Sequence, residues 1–140
     1  MPVDDELECG LRRIFDRQLA LQRESFGVDP LNLPDAEKLK FLDWNLTAMV
    51  QEIAEARDEF AWKPWAVDQY EWIRRDDVVR ELVDVLHFLV NGFLACGADA
   101  DEVLARYFAK ARVNADRQAS GYSHGTNKGA DGRALDEPEI

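Results

Sequence analysis

Two pairs of acids, Glu52-x-x-Glu55 and Glu81-x-x-Asp84, have the residue types and the spacing to bind cations. Acids three apart share one face of a helix, so two such helices side by side would bring four carboxylates to one spot. Like charges do not share a buried site unless a cation joins them, and hard divalent ions such as Mg²⁺ suit oxygen ligands.

The second pair lies in a run that is apolar nearly all round: Val78, Val79, Leu82, Val83, Val85, Leu86, Phe88, Leu89, Val90, Phe93 and Leu94. That pattern predicts a buried helix from about Asp76 to Cys96. Only Glu81, Asp84, His87 and Asn91 interrupt it, as one narrow polar stripe. Unpaired buried carboxylates would cost several kcal/mol or take up protons, so the stripe is expected to face metal, base or partner. The first pair belongs to a helix predicted from about Asp35 to Phe60. Its core stripe is Leu42, Leu46, Met49, Ile53, Ala56 and Phe60, and Asn45, Ala48, Glu52, Glu55 and Glu59 form a parallel flank about 100° round.

The remaining elements are helical too. A first helix is expected over about Asp5 to Ser25, stopped by Gly27. Asp99-x-x-Glu102 has the form of a capping box for a last helix reaching about Gln118. No period-two alternation is long enough for a strand. The expected fold is an all-α bundle of four main helices over residues 1–122, with 123–140 as a tail or arm. Gln18 and Gln22 extend the apolar stripe of Leu7, Leu11 and Ile14, where an amide either bonds to backbone or reads a ligand such as a base edge. Trp62 and Trp65 follow the first acid pair and could stack on a base or close the bundle end. Lys110, Asn114 and Arg117, with Tyr122 just beyond, line up as a phosphate clamp or a solvated face. Cys9 and Cys96 fit buried thiols rather than a disulfide framework.

Composition bounds the function classes. The 140 residues carry 17 Lys plus Arg against 28 Asp plus Glu, a formal charge of −11. Such a surface disfavours nucleic acid and acidic membranes, while a small phosphorylated ligand remains compatible if metal bridges it to the acids. The N-terminal residues do not have the pattern of a signal peptide and no stretch reads as a membrane span, so a cytoplasmic protein is expected.

Taken in order, Glu52-Ile-Ala-Glu-Ala-Arg-Asp-Glu-Phe-Ala-Trp-Lys-Pro-Trp65, Glu81-Leu-Val-Asp-Val-Leu-His-Phe88, and Lys110 through Asn114, Arg117, Gln118, Gly121 and Tyr122 resemble the all-α nucleotide pyrophosphohydrolases. That superfamily holds the dimeric dUTPases, phage dCTPase-dUTPases and MazG-like enzymes, and the dimeric dUTPase branch is the most similar. The resemblance implies that Glu52, Glu55, Glu81 and Asp84 bind two or three Mg²⁺ ions, with Mn²⁺ as a substitute, and that Glu52 or Glu55 also activates water. It implies phosphate binding by Lys110, Asn114, Arg117 and Tyr122. Base enclosure falls to Gln18 or Gln22 and to Trp62 or Trp65.

The implied reaction is dNTP plus water giving dNMP and pyrophosphate, with dUTP favoured, in a homodimer or a dimer of dimers. One position departs from the dUTPase pattern, which has an Asn three residues after its first-helix Gln: here Leu21 follows Gln18 and Ser25 follows Gln22. A MazG-like enzyme acting on dGTP or GTP is therefore the alternative, alongside a non-enzymatic helical interaction protein. A di-iron bundle needs two Glu-x-x-His pairs, and Asp84-x-x-His87 is the one similar pair.

Overall fold

The computed structural model describes residues 5–66 and 72–121, with side chains from Gly10 onward. Four helices follow one another: α1 Asp5–Ser25, α2 Asp35–Asp58, α3 Arg75–Ala95 and α4 Ala100–Ala119. Local chemistry sets their ends. Pro34 precedes α2, and Asp35 and Glu37 in its first turn face the positive end of the helix dipole. Asp76 and Asp77 do the same for α3. The close of α3 is a left-handed Gly97 (φ 74°), with its N–H donating to the Leu94 carbonyl and the Ala98 N–H to that of Phe93. The expected cap of α4 forms by half: Asp99 accepts from the Glu102 N–H at 2.8 Å, whereas the Glu102 carboxylate turns to Arg106.

α2 and α3 form the main antiparallel pair. Leu42 lies against Gly92, Asn45 bonds Asn91, and Glu52 meets Glu81, so residue numbers rise on one helix as they fall on the other. A Cβ on Gly92 would come 3.7 Å from Leu42, which shows how closely the backbones approach there. The Arg74 N–H donates to the Glu59 carbonyl at 3.0 Å, closing the base of the link between the two helices. α1 runs against α3, with Phe15 stacked on Phe93 at 6.2 Å, and α4 packs on α1 through a bidentate Arg12–Asp101 pair. Phe15, Val90, Leu94 and Ala100 make the core, flanked by Leu11, Leu19, Phe93 and Val103.

Three expectations change. α3 is not buried all round: Val79, Leu82, Val83, Leu86 and Leu89 are exposed in the single chain, Leu82 by 51%. Asn91, Val90 and Leu94 pack against neighbouring helices, whereas Val83 and Leu86 open on a cavity beside α1, and Val79 and Leu82 stay uncovered among the described residues. On α2, Leu46 and Ile53 of the expected core stripe are likewise exposed, while Asn45, Glu52 and Ala56 turn toward α3. Cys96 is an exposed cap residue rather than a buried thiol, since the helix ends there; the Cys9 side chain lies outside the described residues.

Candidate metal centre

α2 and α3 each deliver acids to one point. Glu52, Glu55 and Glu81 offer carboxylate oxygens that all lie within 4.8 Å of one another, a donor set of the kind that could hold a metal ion. Glu81 is buried, Glu52 half-buried and Glu55 exposed, so the group opens to solvent along α2. Asp84, half-buried, stands outside that group but adds its charge to Glu52. Burial pushes the Glu52 carboxyl above its ordinary range, helped by the negative charges of Glu55, Asp84 and Glu81 and by a hydrogen bond with Glu81. A carboxyl driven to keep its proton by three neighbouring acids is the electrostatic signature of a place that favours a cation, and an all-oxygen set fits a hard divalent ion.

Basic groups rim the cluster. Arg80 reaches Asp77 at 2.9 Å and Glu81 at 3.3 Å, and Arg74 holds Asp77 at 2.8 Å. Gln51 donates to Glu55 at 3.0 Å. Arg80 and Gln51 thus engage one oxygen each of Glu81 and Glu55. Arg80 was not singled out from the sequence; its position directly before Glu81 is the signal that could have marked it.

Two turns along the same groove runs a second polar feature, a ladder of side-chain amides joining three helices. Gln18 Nε2 donates to Asn91 Oδ1 at 2.8 Å, Asn91 Nδ2 to Asn45 Oδ1 at 2.8 Å, and Asn45 Nδ2 to the Phe41 carbonyl at 2.7 Å. At the other end His87 Nδ1 lies 2.6 Å from Gln18 Oε1. Gln18, Asn45 and Asn91 are all buried. Buried amides must be paired, and here each satisfies the next. The pairing of Asn45 with Asn91 went unforeseen, although its signal was present: each Asn stands seven positions from an acid (52 − 45 = 7 and 91 − 84 = 7). On antiparallel helices equal offsets meet.

Other singled-out residues fall in several places. Gln22 is buried on α1. Trp62 is half-buried beneath the Arg57 guanidinium, 3.9 Å above its ring, and meets Trp65 edge-on at 6.0 Å; Trp65 itself is 73% exposed. Lys110, Asn114 and Arg117 lie on α4, which packs chiefly on α1, with Lys110 and Arg117 half-buried and Asn114 exposed. Tyr122 lies outside the described residues, as does the tail. A cavity of about 790 Å³ opens between α1 and α3, walled by Ile14, Val83, Leu86 and Val90, with Arg13, Arg17 and His87 also lining it.

The family described as dUTPase has a model that matches residues 11–100, the stretch holding α2, α3 and all four acids. The chain belongs to the dUTPase family. Two curated relatives are the dCTP pyrophosphatases of Enterobacteria phage T4 and Enterobacteria phage LZ5. The first is 31% identical over 71 residues, covering 44% of this chain and 42% of the relative. The second is 32% identical over 71 residues, covering 44% and 41%. The chain thus aligns with less than half the length of these relatives. No solved structure matches it. As the resemblance read from the acid pairs implied, the chain is dUTPase-like and all-α.

Proposed function

We propose that the chain is a metal-dependent nucleoside triphosphate pyrophosphohydrolase, converting a dNTP and water to dNMP and pyrophosphate. The observation that carries this reading is the meeting of Glu52, Glu55 and Glu81 from two helices, beside Asp84, within a dUTPase-family segment. Glu52, Glu55, Glu81 and Asp84 are the ligands assigned to two or three Mg²⁺ ions, with Mn²⁺ a substitute. Bound there, the ions would offset polyphosphate charge and lower the pKa of coordinated water. Glu52 or Glu55, the latter at the open edge of the cluster, would orient that water and accept its proton. Lys110, Asn114, Arg117 and Tyr122 are assigned to the phosphates, Trp62 or Trp65 to the base face, and Gln18 or Gln22 to its edge.

Among bases we favour uracil, from the family match. Cytosine is the second reading, because the two phage relatives are named dCTP pyrophosphatases. A guanine-directed activity has no support from either comparison. The exposed apolar side of α3 supports the reading that the enzyme is a homodimer or a dimer of dimers. No helix of the described residues is long and apolar enough to cross a membrane, which agrees with action on a dissolved nucleotide in the cytoplasm.

The test is a panel of dUTP, dCTP, dGTP and the ribonucleotides with Mg²⁺ or with EDTA, separating products by chromatography. Release of dUMP or dCMP with pyrophosphate, abolished by EDTA, is expected, and Glu81→Gln should lower kcat by about 10²–10³-fold while the chain stays folded. A variant that folds and retains full turnover would remove the acids from the chemistry.

A further inference from the structure

The amide ladder has a direction, and that direction ends on a histidine. A backbone carbonyl can only accept. The Phe41 oxygen, 2.7 Å from the Asn45 amide, therefore obliges Asn45 to present Nδ2 to it, because the flipped amide would set two oxygens against each other. Asn45 then presents Oδ1 to Asn91, which must donate; Asn91 Oδ1 in turn demands a donor, which is Gln18 Nε2. Gln18 is left showing Oε1 to His87, and an oxygen at 2.6 Å requires a proton on Nδ1. One carbonyl on α2 thus specifies, through three carboxamides on three helices, which ring nitrogen of His87 carries the proton. The neutral ring is held as the Nδ1–H tautomer, the reverse of the Nε2–H form that free histidine favours. Its Nε2 keeps a lone pair, and among the described residues nothing bonds it.

We propose that this ladder makes His87 Nε2 a fixed hydrogen-bond acceptor at the cavity between α1 and α3, there to receive an N–H on the edge of the ligand's heterocycle. His87 is exposed, and the cavity it lines has apolar walls in Ile14, Val83, Leu86 and Val90, with Arg13, Asp16, Arg17 and Gln18 as its other polar lining. Apolar walls with a few placed polar groups are the make-up of a site that holds a ring by its faces and reads it by an edge. The ladder lies two turns from the acid cluster along the α2–α3 groove, so a ligand whose phosphates met the acids would carry its ring within range of α1 and α3. Naming that ring a pyrimidine rests on the nucleotide reading above; the tautomer does not. In this scheme Gln18, bonded to Asn91 through Nε2 and to His87 through Oε1, acts through His87 as a positioning residue, which leaves Gln22 as the amide of the pair assigned above to the base edge.

Long-range ¹⁵N–¹H correlation spectra of the His87 ring in the full chain test the first half. In alkaline buffer the parent should show Nδ1 protonated and Nε2 at the unprotonated end of the imidazole range. Two variants lose the bond to Phe41 alike but differ in polarity. Asn45→Asp can still only accept from Asn91, so the Nδ1–H tautomer should persist; Asn45→Ala releases Asn91 and Gln18 to rotate, so the ring should become a mixture. The same tautomer in Asn45→Ala as in the parent, or an Nε2–H parent, overturns the ladder.

For the second half, dUMP and dCMP should each move the Nε2 resonance on binding, and N3-methyl-dUMP, which lacks the imino N–H, should not. An Nε2 resonance indifferent to all three overturns the acceptor role. Turnover of dUTP or dCTP measured on the same sample then tells whether the nucleotide reading fell with it or stands without His87.

Discussion

Glu52 sits where burial and three acids compete with water for its proton, and the consequence for stability has a definite sign. A carboxyl whose folded-state pKa is raised stabilises the fold while protonated, below its ordinary value of 4.5, and loses that contribution as pH climbs through the raised value. In chelator the parent should therefore lose melting temperature, relative to Glu52→Gln, as pH rises from about 4.5 toward neutrality. A constant difference between the two melting temperatures across that range would show that Glu52 does not feel its neighbours. Mg²⁺ should reverse the trend in the parent, by binding the ionised cluster of the folded chain alone. Asp101 and Asp29 shift the other way, held low chiefly by Arg12 and by Asn32, which is why comparison with the Gln variant isolates Glu52. The Arg12–Asp101 pair is half exposed, so solvent screens it and it contributes little to stability.

At the scale of elements, the helices were legible because their punctuation is chemical: Gly27, Pro34, Asp99 and Gly97 mark ends that appear within a residue or two of their expected places. Gly97→Ala should cost about 1–2 kcal/mol, since φ of 74° places any Cβ against backbone, and chemical denaturation would measure it. A loss near zero would mean that the turn relaxes to another conformation. The meeting of the two acid pairs was legible too, because spacing within a helix fixes a face. What spacing on one helix does not contain is the register between two. The Asn45–Asn91 bond and the Leu42–Gly92 approach depend on how far α2 slides along α3, a property of both surfaces together. The stripe expected on α2 holds only in part for the same reason: Leu42 lies against Gly92 and Ala56 is buried, yet Leu46 and Ile53 stay exposed while Asn45 and Glu52 of the polar flank meet α3. Hydrophobic period identifies the side that leaves water, not the partner it meets.

At the scale of the whole molecule, many large apolar side chains among the described residues stay exposed. Val79, Leu82, Val83 and Leu86 on α3 and Leu39, Val50 and Ile53 on α2 stay exposed, whereas the core proper is small. A sequence cannot distinguish a residue buried by its own chain from one buried by another copy, because both obey the same transfer free energy. If a second copy covers α3, Val79→Glu combined with Leu82→Glu should convert the protein to a folded monomer by light scattering, with helicity kept and turnover reduced. An unchanged mass would assign that face to something other than self-association. The net charge of −11 works against self-association at low salt, so the assembly should tighten as ionic strength rises.

The close approach of α2 and α3 at Gly92 has a bearing on how the protein ages. Asn91 precedes Gly92, and Asn-Gly is the dipeptide at which a side-chain amide is most readily lost, by attack of the glycine nitrogen on the asparagine carbonyl. Within α3 that nitrogen is committed to the helix and Asn91 is 3% exposed and held at both ends, so the attack geometry is out of reach. The fold therefore protects the weakest covalent point in its own polar ladder. Once the chain unfolds, protection ends, and the acid formed at position 91 has no proton to give Asn45. Repeated heating should leave a growing fraction that refolds poorly, identifiable by peptide mapping as deamidated at that one site, while native protein held for the same time stays intact. Thermal inactivation of this bundle would then be a chemical clock, set by the time each molecule spends unfolded.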